Sequence, residues 1–227
     1  DGTLDEQRIA SLSDQMAEVV RAGKRVALVS SGAVGAGIGR LGLSKRPTDL
    51  PHLQAAAASG QAYLIRAYDQ ALRKHGFSAA QLLLTRSDFD DRVRYLNVRN
   101  TLLTLFEYGA IPIINENDTV SVDEIRFGDN DYLAALVTNL LSAPLLVILS
   151  VVDGLLQSDP AASNAPQEPI RVINNLDEAI HRHVGPGRSA LGSGGMKSKL
   201  EAARLVSRAG GSVIITSGLR NDAIHQV

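Results

Sequence analysis

The sequence predicts an α/β fold with a mostly parallel sheet covered on both faces by helices. Short continuous apolar runs, which are typical of buried parallel strands, recur along the chain. Segments of ten or more residues with apolar side chains at helical spacing separate these runs. The alternation indicates βαβ crossovers, and a length of 227 residues suits one large domain or at most two small ones.

The elements can be assigned in order along the chain. The first predicted helix, Glu6 to Arg21, carries apolar residues at helical spacing and stops before Gly23, a typical residue after a helix end. Strands are predicted at 26–30, 79–84, 110–114, 145–150 and 212–216. Further helices are predicted at 51–74, 92–108, 132–141 and 196–209, and residues 157–170 are predicted to form a surface loop.

One segment has the length of a membrane span. Residues 133–152 carry no charge, and about twenty such residues are enough to cross a bilayer. Polar residues interrupt the run, however, and lysine or arginine anchors are missing at both ends. A buried helix, a break at Ser142 to Pro144 and a buried strand explain the segment better, so no membrane partner is expected.

The composition excludes several classes of function. Lys and Arg total 23 against 24 for Asp and Glu, so no basic excess is available to bind nucleic acid. The chain has no cysteine, which excludes disulfides and thiolate metal sites and fits a reducing compartment. It opens with charged residues rather than an apolar signal, so a cytoplasmic protein is expected. His181 and His183 have no third ligand at suitable spacing, and no metal site is predicted.

Two polar clusters lie between a predicted strand and a predicted helix. Residues 115–118 (Asn-Glu-Asn-Asp) follow the strand 110–114, and residues 129–131 (Asp-Asn-Asp) precede the helix 132–141. In open α/β sheets, sites form where the carboxyl ends of strands meet helix amino ends. One such residue would suffice as a helix cap, so seven favour a binding site. Their charge suits an amine, a magnesium ion or a lysine, and Asn with Asp suits the ammonium group of an amino acid.

Two glycine-rich segments predict close approach of the backbone to a ligand. Residues 30–37 (SSGAVGAG) follow the first strand, and Ser30 or Ser31 can cap the next helix, although a tight strand-to-helix turn is the alternative. Residues 192–199 (GSGGMKSK) open the helix 196–209, where free amides and a lysine suit a polyphosphate. A lysine in a first turn is disfavoured by about 0.3–1 kcal/mol unless an anion, or Glu201, compensates it. Neither segment matches the dinucleotide or Walker motif.

Together these junctions resemble the amino-acid kinase family. The resemblance rests on SSGAVGAG, TRSDFDDRVRYLNVRNT, IPIINENDTV, FGDNDYLAAL and GSGGMKSKLEAA, in this order, and runs from about Leu4 to about Gly218. The motif INEND, followed by GDND, resembles the motifs of the family branch that phosphorylates L-glutamate in proline biosynthesis. The resemblance implies an αβα sandwich with a mostly parallel central sheet. It also implies transfer of the γ-phosphoryl group of ATP to the side-chain carboxylate of L-glutamate.

The resemblance also implies roles for individual residues. Lys199 is implied as the catalytic cation on the transferring phosphoryl group, and Asp131 as the catalytic acid that orients the lysines. The implied substrate-binding residues are Ser31, Gly32, Asn115, Asp118, Asp129 and Asn130. The implied ATP-binding residues are Ser150, Val151, Ser193, Gly194, Gly195, Met196, Lys197, Ser198 and Lys199.

The implied chemistry requires few protein groups. A glutamate side chain with a pKa of about 4.3 is already ionised at pH 7, so no general base is needed. Magnesium is implied as a cofactor held mainly by ATP. The resemblance further implies a homo-oligomer and feedback inhibition by L-proline. Val151 stands where the family usually has the Asp of a Ser-Asp or Thr-Asp pair. Leu156 and Gln157 likewise depart from the usual Leu-Tyr-Thr stretch. These differences affect the expected nucleotide contacts rather than the reaction.

Two alternatives of different kinds remain open at the level of sequence. One is another kinase of the same family, acting on N-acetylglutamate, aspartate, carbamate or a nucleotide monophosphate. The free α-amine of the substrate discriminates, because Asp118 suits an ammonium and an N-acetyl group would favour an apolar pocket. The second is a non-catalytic amino-acid sensor, which Val151 favours and which the intact Asp131 and Lys199 disfavour.

The sequence is expected to form a single kinase domain over residues 1–227 without a PUA domain. The helix Glu6 to Arg21 should be a crossover between two parallel strands, but only one of these strands is present in the sequence. We therefore expect the chain to be part of a longer polypeptide that supplies a first strand. The family resemblance implies that this strand carries a second phosphate-binding lysine and that the domain also has a further last strand.

Overall fold

A computed structural model describes residues 4–121, 130–156, 168–183 and 195–227, without the side chains of residues 181–183. The chain divides into two compact units, residues 1–130 and residues 131–227. Strands pair in parallel within each unit and are connected through helices. The predicted α/β class is therefore confirmed. The single domain predicted over residues 1–227 stays a prediction.

The first unit alternates helices with strands. Three of its helices start at an aspartate whose carboxylate accepts a first-turn backbone N–H, namely Asp5, Asp49 and Asp91, over 2.9, 3.2 and 2.8 Å. The helices are α1 (Glu6–Arg21), α2 (Ala33–Arg40), α3 (Leu50–Arg73), α4 (Ser87–Asp90) and α5 (Arg92–Glu107). The strands are β1 (Leu28–Val29), β2 (Ala79–Leu84) and β3 (Ile111–Glu116).

The sheet of the first unit has β3 at its centre. Its strand order is β1-β3-β2, with both pairings parallel. Ile111, Ile113 and Ile114 of β3 are at most 1% exposed, so this strand forms the centre of the apolar core. The strand also runs two residues further than predicted, because Asn115 and Glu116 continue the ladder with β2. Asn115 is therefore part of a buried strand and not of the following loop.

Strand β1 is shorter than the predicted strand 26–30. Its pairing with β3 covers only Leu28 and Val29, and the Ser30 N–H adds one bond to the Ile114 carbonyl at 2.9 Å. Continuing this register backwards would place residue 27 opposite Pro112. The Ile111 N–H donates to the Ser78 carbonyl oxygen, which lies on the β2 side. Backbone groups of successive residues in a strand point to opposite neighbours, so those of Pro112 face β1. Because Pro112 has no N–H, it cannot extend the ladder there.

Helix α2, which the sequence did not predict, is formed by the first glycine-rich segment. It begins after Gly32, whose φ of 103° places it in the left-handed region, and no side chain caps its first turn. Neither Ser30 nor Ser31, which the sequence offered as possible caps, caps α2. The glycines let α2 pack closely on α3. A Cβ on Gly37 would lie 1.7 Å from the Ala56 carbonyl oxygen, and one on Gly60 would lie 1.8 Å from that of Ala33.

The second unit pairs two strands in parallel beneath helices. Leu145 pairs with Ser212 and the register continues to Ser150 with Ser217. A buried core joins the strands to the helices through Ala135, Leu146, Ile148, Ala202 and Val206. Its elements are α6 (Asn130–Leu140, which starts at the last residue of the first unit), β4 (Leu145–Ser150), α7 (Leu176–His183), α8 (Met196–Arg208) and β5 (Ser212–Ser217).

The uncharged segment 133–152 contains a helix and a strand, as predicted. Helix α6 ends at Leu140, and Ser142 turns the chain with a φ of 50° before β4 begins. Within the part of the chain that the structure describes, no helix is long and apolar enough to cross a bilayer. The short helices α4 and α7 were not predicted. In the predicted loop 157–170, residues 157–167 lie outside the described residues, and Pro169 pairs with Leu156 in an antiparallel bridge.

Candidate active site

Two predicted substrate-binding residues, Ser31 and Asn115, converge on the side-chain amide of a third, Asn130. Its Nδ2 donates to the Ser30 carbonyl oxygen at 2.7 Å, to Ser31 Oγ at 2.8 Å and to Asn115 Oδ1 at 3.0 Å. Ser30 follows β1, Asn115 lies near the end of β3, and Asn130 begins α6. The carboxyl ends of two neighbouring parallel strands of the first unit thus meet at Asn130, its last residue.

Gln61 extends this network into the core, and sequence analysis missed it. It lies on α3 and is 7% exposed, and its Oε1 accepts a hydrogen bond from Asn115 Nδ2 at 2.8 Å. Asn115, itself 2% exposed, also accepts the Glu116 N–H at Oδ1 over 2.8 Å. A lone glutamine inside a helix gives no pattern that a reading of the sequence could have used. Gln61, Asn115 and Asn130 are called the amide chain below.

The amide chain leaves defined polar atoms for a ligand. The exposed Ser31 hydroxyl accepts from Asn130, so its own hydrogen remains for an acceptor such as a carboxylate. Asn130 Oδ1 is buried and has no hydrogen-bond partner among the described residues. A buried acceptor of this kind costs about 1–3 kcal/mol when unsatisfied. One donor and one acceptor are what the two ends of an amino-acid headgroup require.

Asp118 lies in the turn that follows β3. The turn is closed by bonds to the Asn117 carbonyl oxygen from the N–H groups of Val120 and Ser121, both at 3.1 Å. The Asn117 N–H itself bonds to the last carbonyl of β2 at 2.8 Å. This anchors the turn to the sheet and holds the half-buried Asp118 at the carboxyl end of β3.

In the second unit, Lys199 pairs with Asp131. Lys199 Nζ lies 2.8 Å from Asp131 Oδ2, and the two side chains are 12% and 15% exposed. Ser198 Oγ bonds to the same carboxylate oxygen at 2.8 Å. The pair connects the first turn of α6 to the first turn of α8. Asp131 is therefore an anion that compensates a cation at the positive end of α8, where Glu201 had been considered for that role.

The start of α8 offers free backbone donors. Gly195 occupies the cap position and provides no side-chain acceptor for the first-turn N–H groups. The amides of Met196 and Lys197 have no intrahelical partner, as at any helix start. Lys197 is exposed to solvent, in contrast to Lys199. An anion at this end would meet two amides and the helix dipole.

Ser150 and Val151 stand at the carboxyl end of β4. The Ser150 carbonyl accepts the Gly218 N–H at 2.6 Å, which ties this end to the chain that follows β5. Val151 is 77% exposed, so an apolar surface lies where the family usually carries an acid. Gly32, the remaining described candidate, caps α2 directly after Ser31. The candidates Asp129, Ser193 and Gly194 lie outside the described residues, as does Gln157.

The described residues do not form a protein site for magnesium. No group of three or more His, Asp or Glu side chains is arranged there to hold a metal ion. Asp131 Oδ2 already accepts bonds from Lys199 and Ser198. The expectation that Mg²⁺ is held mainly by the phosphates of ATP stays a prediction.

Comparison with known proteins identifies the family. The profile described as "Amino acid kinase family" matches residues 3–217. The chain belongs to the amino acid kinase family. The predicted family is thus confirmed over nearly the whole length of the chain.

Two curated relatives of this chain are both named glutamate 5-kinase. A "Glutamate 5-kinase" from Pseudomonas savastanoi pv. phaseolicola is 50% identical over 215 residues, which cover 95% of this chain and 58% of the relative. A "Glutamate 5-kinase" from Methylococcus capsulatus is 47% identical over 225 residues, which cover 99% of this chain and 60% of the relative. The chain thus spans about three fifths of the length of these curated relatives.

Solved structures confirm the fold of the amino acid kinase. Carbamate kinase from Giardia lamblia bound to AMP-PNP aligns with a TM-score of 0.64 at 20% identity, covering 100% of this chain and 88% of that one. An isopentenyl phosphate kinase from T. acidophilum aligns with a TM-score of 0.61 at 15% identity, covering 98% and 85%. At these identities the likeness concerns the fold alone.

Proposed function

We propose that this chain carries the activity of a glutamate 5-kinase. The proposed reaction transfers the γ-phosphoryl group of ATP to the side-chain carboxylate of L-glutamate, the first step of proline biosynthesis. The observation that carries the proposal is the convergence of Ser31 and Asn115 on Asn130, in a chain about half identical to proteins named glutamate 5-kinase.

The proposed substrate site binds the amino-acid headgroup. The Ser31 hydroxyl would donate to the α-carboxylate, and Asn130 Oδ1 would accept from the ammonium group. Asp118 adds a negative charge at the same sheet edge, and a charge-assisted hydrogen bond to an ammonium is worth more than a neutral one. Gly32 and Asp129 are proposed to complete this site. A free amine is therefore the chemical feature that we expect the site to select.

The proposed phosphoryl site uses the first turn of α8. Phosphoryl transfer depends mainly on alignment and on cations that neutralise the equatorial oxygens. Lys199 would provide one such cation, and Asp131 and Ser198 hold its position. The γ-carboxylate attacks as an anion at pH 7, so no base has to remove a proton. Further ATP contacts are proposed for Ser150, Val151, Lys197 and the segment 193–196.

The cofactors and partners of this reaction are also proposals. ATP would supply the phosphoryl group, with Mg²⁺ held mainly by its phosphates. Feedback inhibition by L-proline and a homo-oligomeric assembly are proposed from the family resemblance. The absence of cysteine is compatible with the reducing cytoplasm, where we propose that the reaction takes place.

A panel of ligands tests the proposal without assuming turnover. A ligand that binds only the folded state raises its melting temperature. L-Glutamate and Mg-ATP should each stabilise the purified protein, and N-acetylglutamate should not. Stabilisation by N-acetylglutamate, aspartate or carbamate in place of glutamate would favour another kinase of the family. Stabilisation by glutamate with no ADP release would favour an amino-acid sensor.

A further inference from the structure

We propose that Gln61 is a positioning residue that holds Asn115, and through it Asn130, in place for the amino-acid substrate. The inference rests on the proposed function for the identity of that substrate. Gln61 would not touch the substrate. It would act through Asn115, the buried middle member of the amide chain.

The amide chain has one consistent orientation. Gln61 Oε1 accepts from Asn115 Nδ2, which turns Asn115 Oδ1 towards the Glu116 N–H and towards Asn130 Nδ2. With Nδ2 of Asn130 facing three oxygen atoms, its Oδ1 lies on the other side of the amide. The Glu116 N–H and the Ser30 carbonyl oxygen fix the orientations of the Asn115 and Asn130 amides, since reversal of either would bring two donors or two acceptors together. Gln61 completes the chain by accepting from Asn115 Nδ2, which limits where the Asn115 side chain can lie.

Gln61 is well suited to anchor this chain because its own position is fixed. The preceding residue, Gly60, packs so closely on α2 that an added Cβ would lie 1.8 Å from the Ala33 carbonyl oxygen and 2.4 Å from the Gly37 nitrogen. Ala33 starts α2 two residues after Ser31. The same contact between helices thus places Gln61 and the loop that carries Ser31.

Loss of the Gln61 acceptor would loosen the far end of the amide chain. Asn115 Nδ2 would then be a buried donor without its partner. The Glu116 N–H and the Ser30 carbonyl oxygen oppose reversal of the two asparagine amides, so Asn115 would shift rather than rotate. Because Asn130 Nδ2 donates to Asn115 Oδ1, this shift would displace the Asn130 amide and its Oδ1, the group proposed to face the ammonium.

Variants at position 61 test this in steady-state kinetics. Gln61→Met keeps the side-chain length without polar atoms and should raise the KM for L-glutamate about tenfold, with kcat and the KM for ATP within about threefold. The inhibition constant of glutarate, which lacks the ammonium, should not change. Gln61→Glu, which keeps an accepting oxygen, should restore most of the affinity. Gln15→Met is the matched control, because Gln15 is also a buried glutamine, on α1.

The pathway through Asn115 is tested by a double variant. In an Asn115→Ala background, Gln61→Met should add no further increase in KM. The inference would be overturned if the KM increases of the two substitutions multiplied in the double variant. It would also be overturned if Gln61→Met weakened the binding of glutarate as much as that of glutamate. An unchanged KM for glutamate in Gln61→Met would do the same while leaving the proposed function in place.

A second readout does not depend on the substrate. In protein labelled with ¹⁵N-asparagine, Gln61→Met should shift the side-chain amide signals of Asn130, which Gln61 does not contact in the structure, and the Asn115→Ala background should abolish that shift. If the wild type neither binds nor phosphorylates glutamate, the proposed function fails, and this measurement still decides whether Gln61 orients Asn130. Unmoved Asn130 signals would overturn the inference.

Discussion

The Lys199 ammonium and the Asp131 carboxylate form a largely buried ion pair, with Nζ and Oδ2 2.8 Å apart. Asp131 follows directly on Asn130, the residue on which the predicted substrate-binding side chains converge. The pairing explains why a lysine is tolerated in the first turn of α8, since the carboxylate offsets the positive end of the helix dipole. It also fixes a flexible side chain in one direction before any ligand binds.

Replacing Lys199 with alanine should mainly slow the chemical step. We expect Lys199→Ala to lower kcat by about a hundredfold or more, or about 2.7 kcal/mol, because its charge is needed most in the transition state. Lys197→Ala is the matched control, since Lys197 lies in the same helical turn but is exposed. Its kcat should change far less. A Lys199→Ala variant with a raised KM for ATP and a normal kcat would show that Lys199 only binds the nucleotide.

Asp118 should affect binding of glutamate rather than its turnover. Asp118→Asn removes the charge proposed to face the ammonium and should raise the KM for glutamate about tenfold, with little change in kcat. Glu107→Gln makes the same chemical change at an exposed position at the end of α5. Initial rates over a range of glutamate concentrations give both constants. An Asp118→Asn variant that lost kcat at unchanged KM would place Asp118 at the reacting end of the substrate.

The close packing of α2 on α3 gives a prediction about stability. Gly60→Ala should lower the free energy of unfolding by about 3 kcal/mol or more, because its Cβ would overlap the backbone of α2. Gly35→Ala is the control within α2, where no atom lies within 4 Å of the new Cβ. It should stabilise the helix by up to about 1 kcal/mol. Denaturant unfolding of both variants compares them, and equal effects would mean that the crossing is looser than described.

Asp69 should contribute to stability only above acidic pH. Its carboxylate accepts a bond from Arg73 Nε at 2.6 Å and from the Ala79 N–H at 3.2 Å, and these contacts, Arg73 first, hold the pKa of Asp69 below its usual value. The stabilisation is present above the unfolded pKa of about 3.9 and is lost as the pH falls through the lowered folded pKa.

The size of this effect follows from partial exposure of the pair. Asp69→Asn should lower the free energy of unfolding by up to about 1 kcal/mol at pH 7 and by clearly less at pH 3. Asp90→Asn, at an exposed position on α4, should have little effect at either pH. Urea unfolding at both pH values measures the difference. A loss that stayed constant with pH would show that the charge of Asp69 is not involved.

The parts of the fold that depend on local sequence could be predicted. Strands β2 and β4 have the predicted bounds, because β2 is apolar apart from Gln81 and is followed by Thr85, and β4 is an apolar run that ends at Ser150. The bounds of strand β1 could not be predicted, because its length depends on pairing opposite Pro112, which is distant in sequence. Helix α2 could not be predicted either, because its glycines have low helix propensity and the helix is stabilised by contact with α3.

The candidate site was predictable to a similar degree. Ser31 follows β1, Asn115 lies near the end of β3 and Asn130 begins a helix, and parallel strands bring such positions to one edge of a sheet. The pairing of Lys199 with Asp131 was implied by the family resemblance rather than by spacing. No sequence pattern pointed to Gln61, because its proposed role depends on a single contact between α3 and β3.

The most direct test is to trap the product of the proposed reaction. An acyl phosphate reacts with hydroxylamine to give a stable hydroxamate, and the position of the hydroxamate identifies the carboxylate that was phosphorylated. The purified protein with Mg-ATP, L-glutamate and hydroxylamine should yield the γ-hydroxamate of glutamate, with a higher kcat/KM than for L-aspartate or N-acetylglutamate. An absence of γ-hydroxamate, or equal or faster turnover of either competitor, would contradict the assignment of this chain as a glutamate kinase.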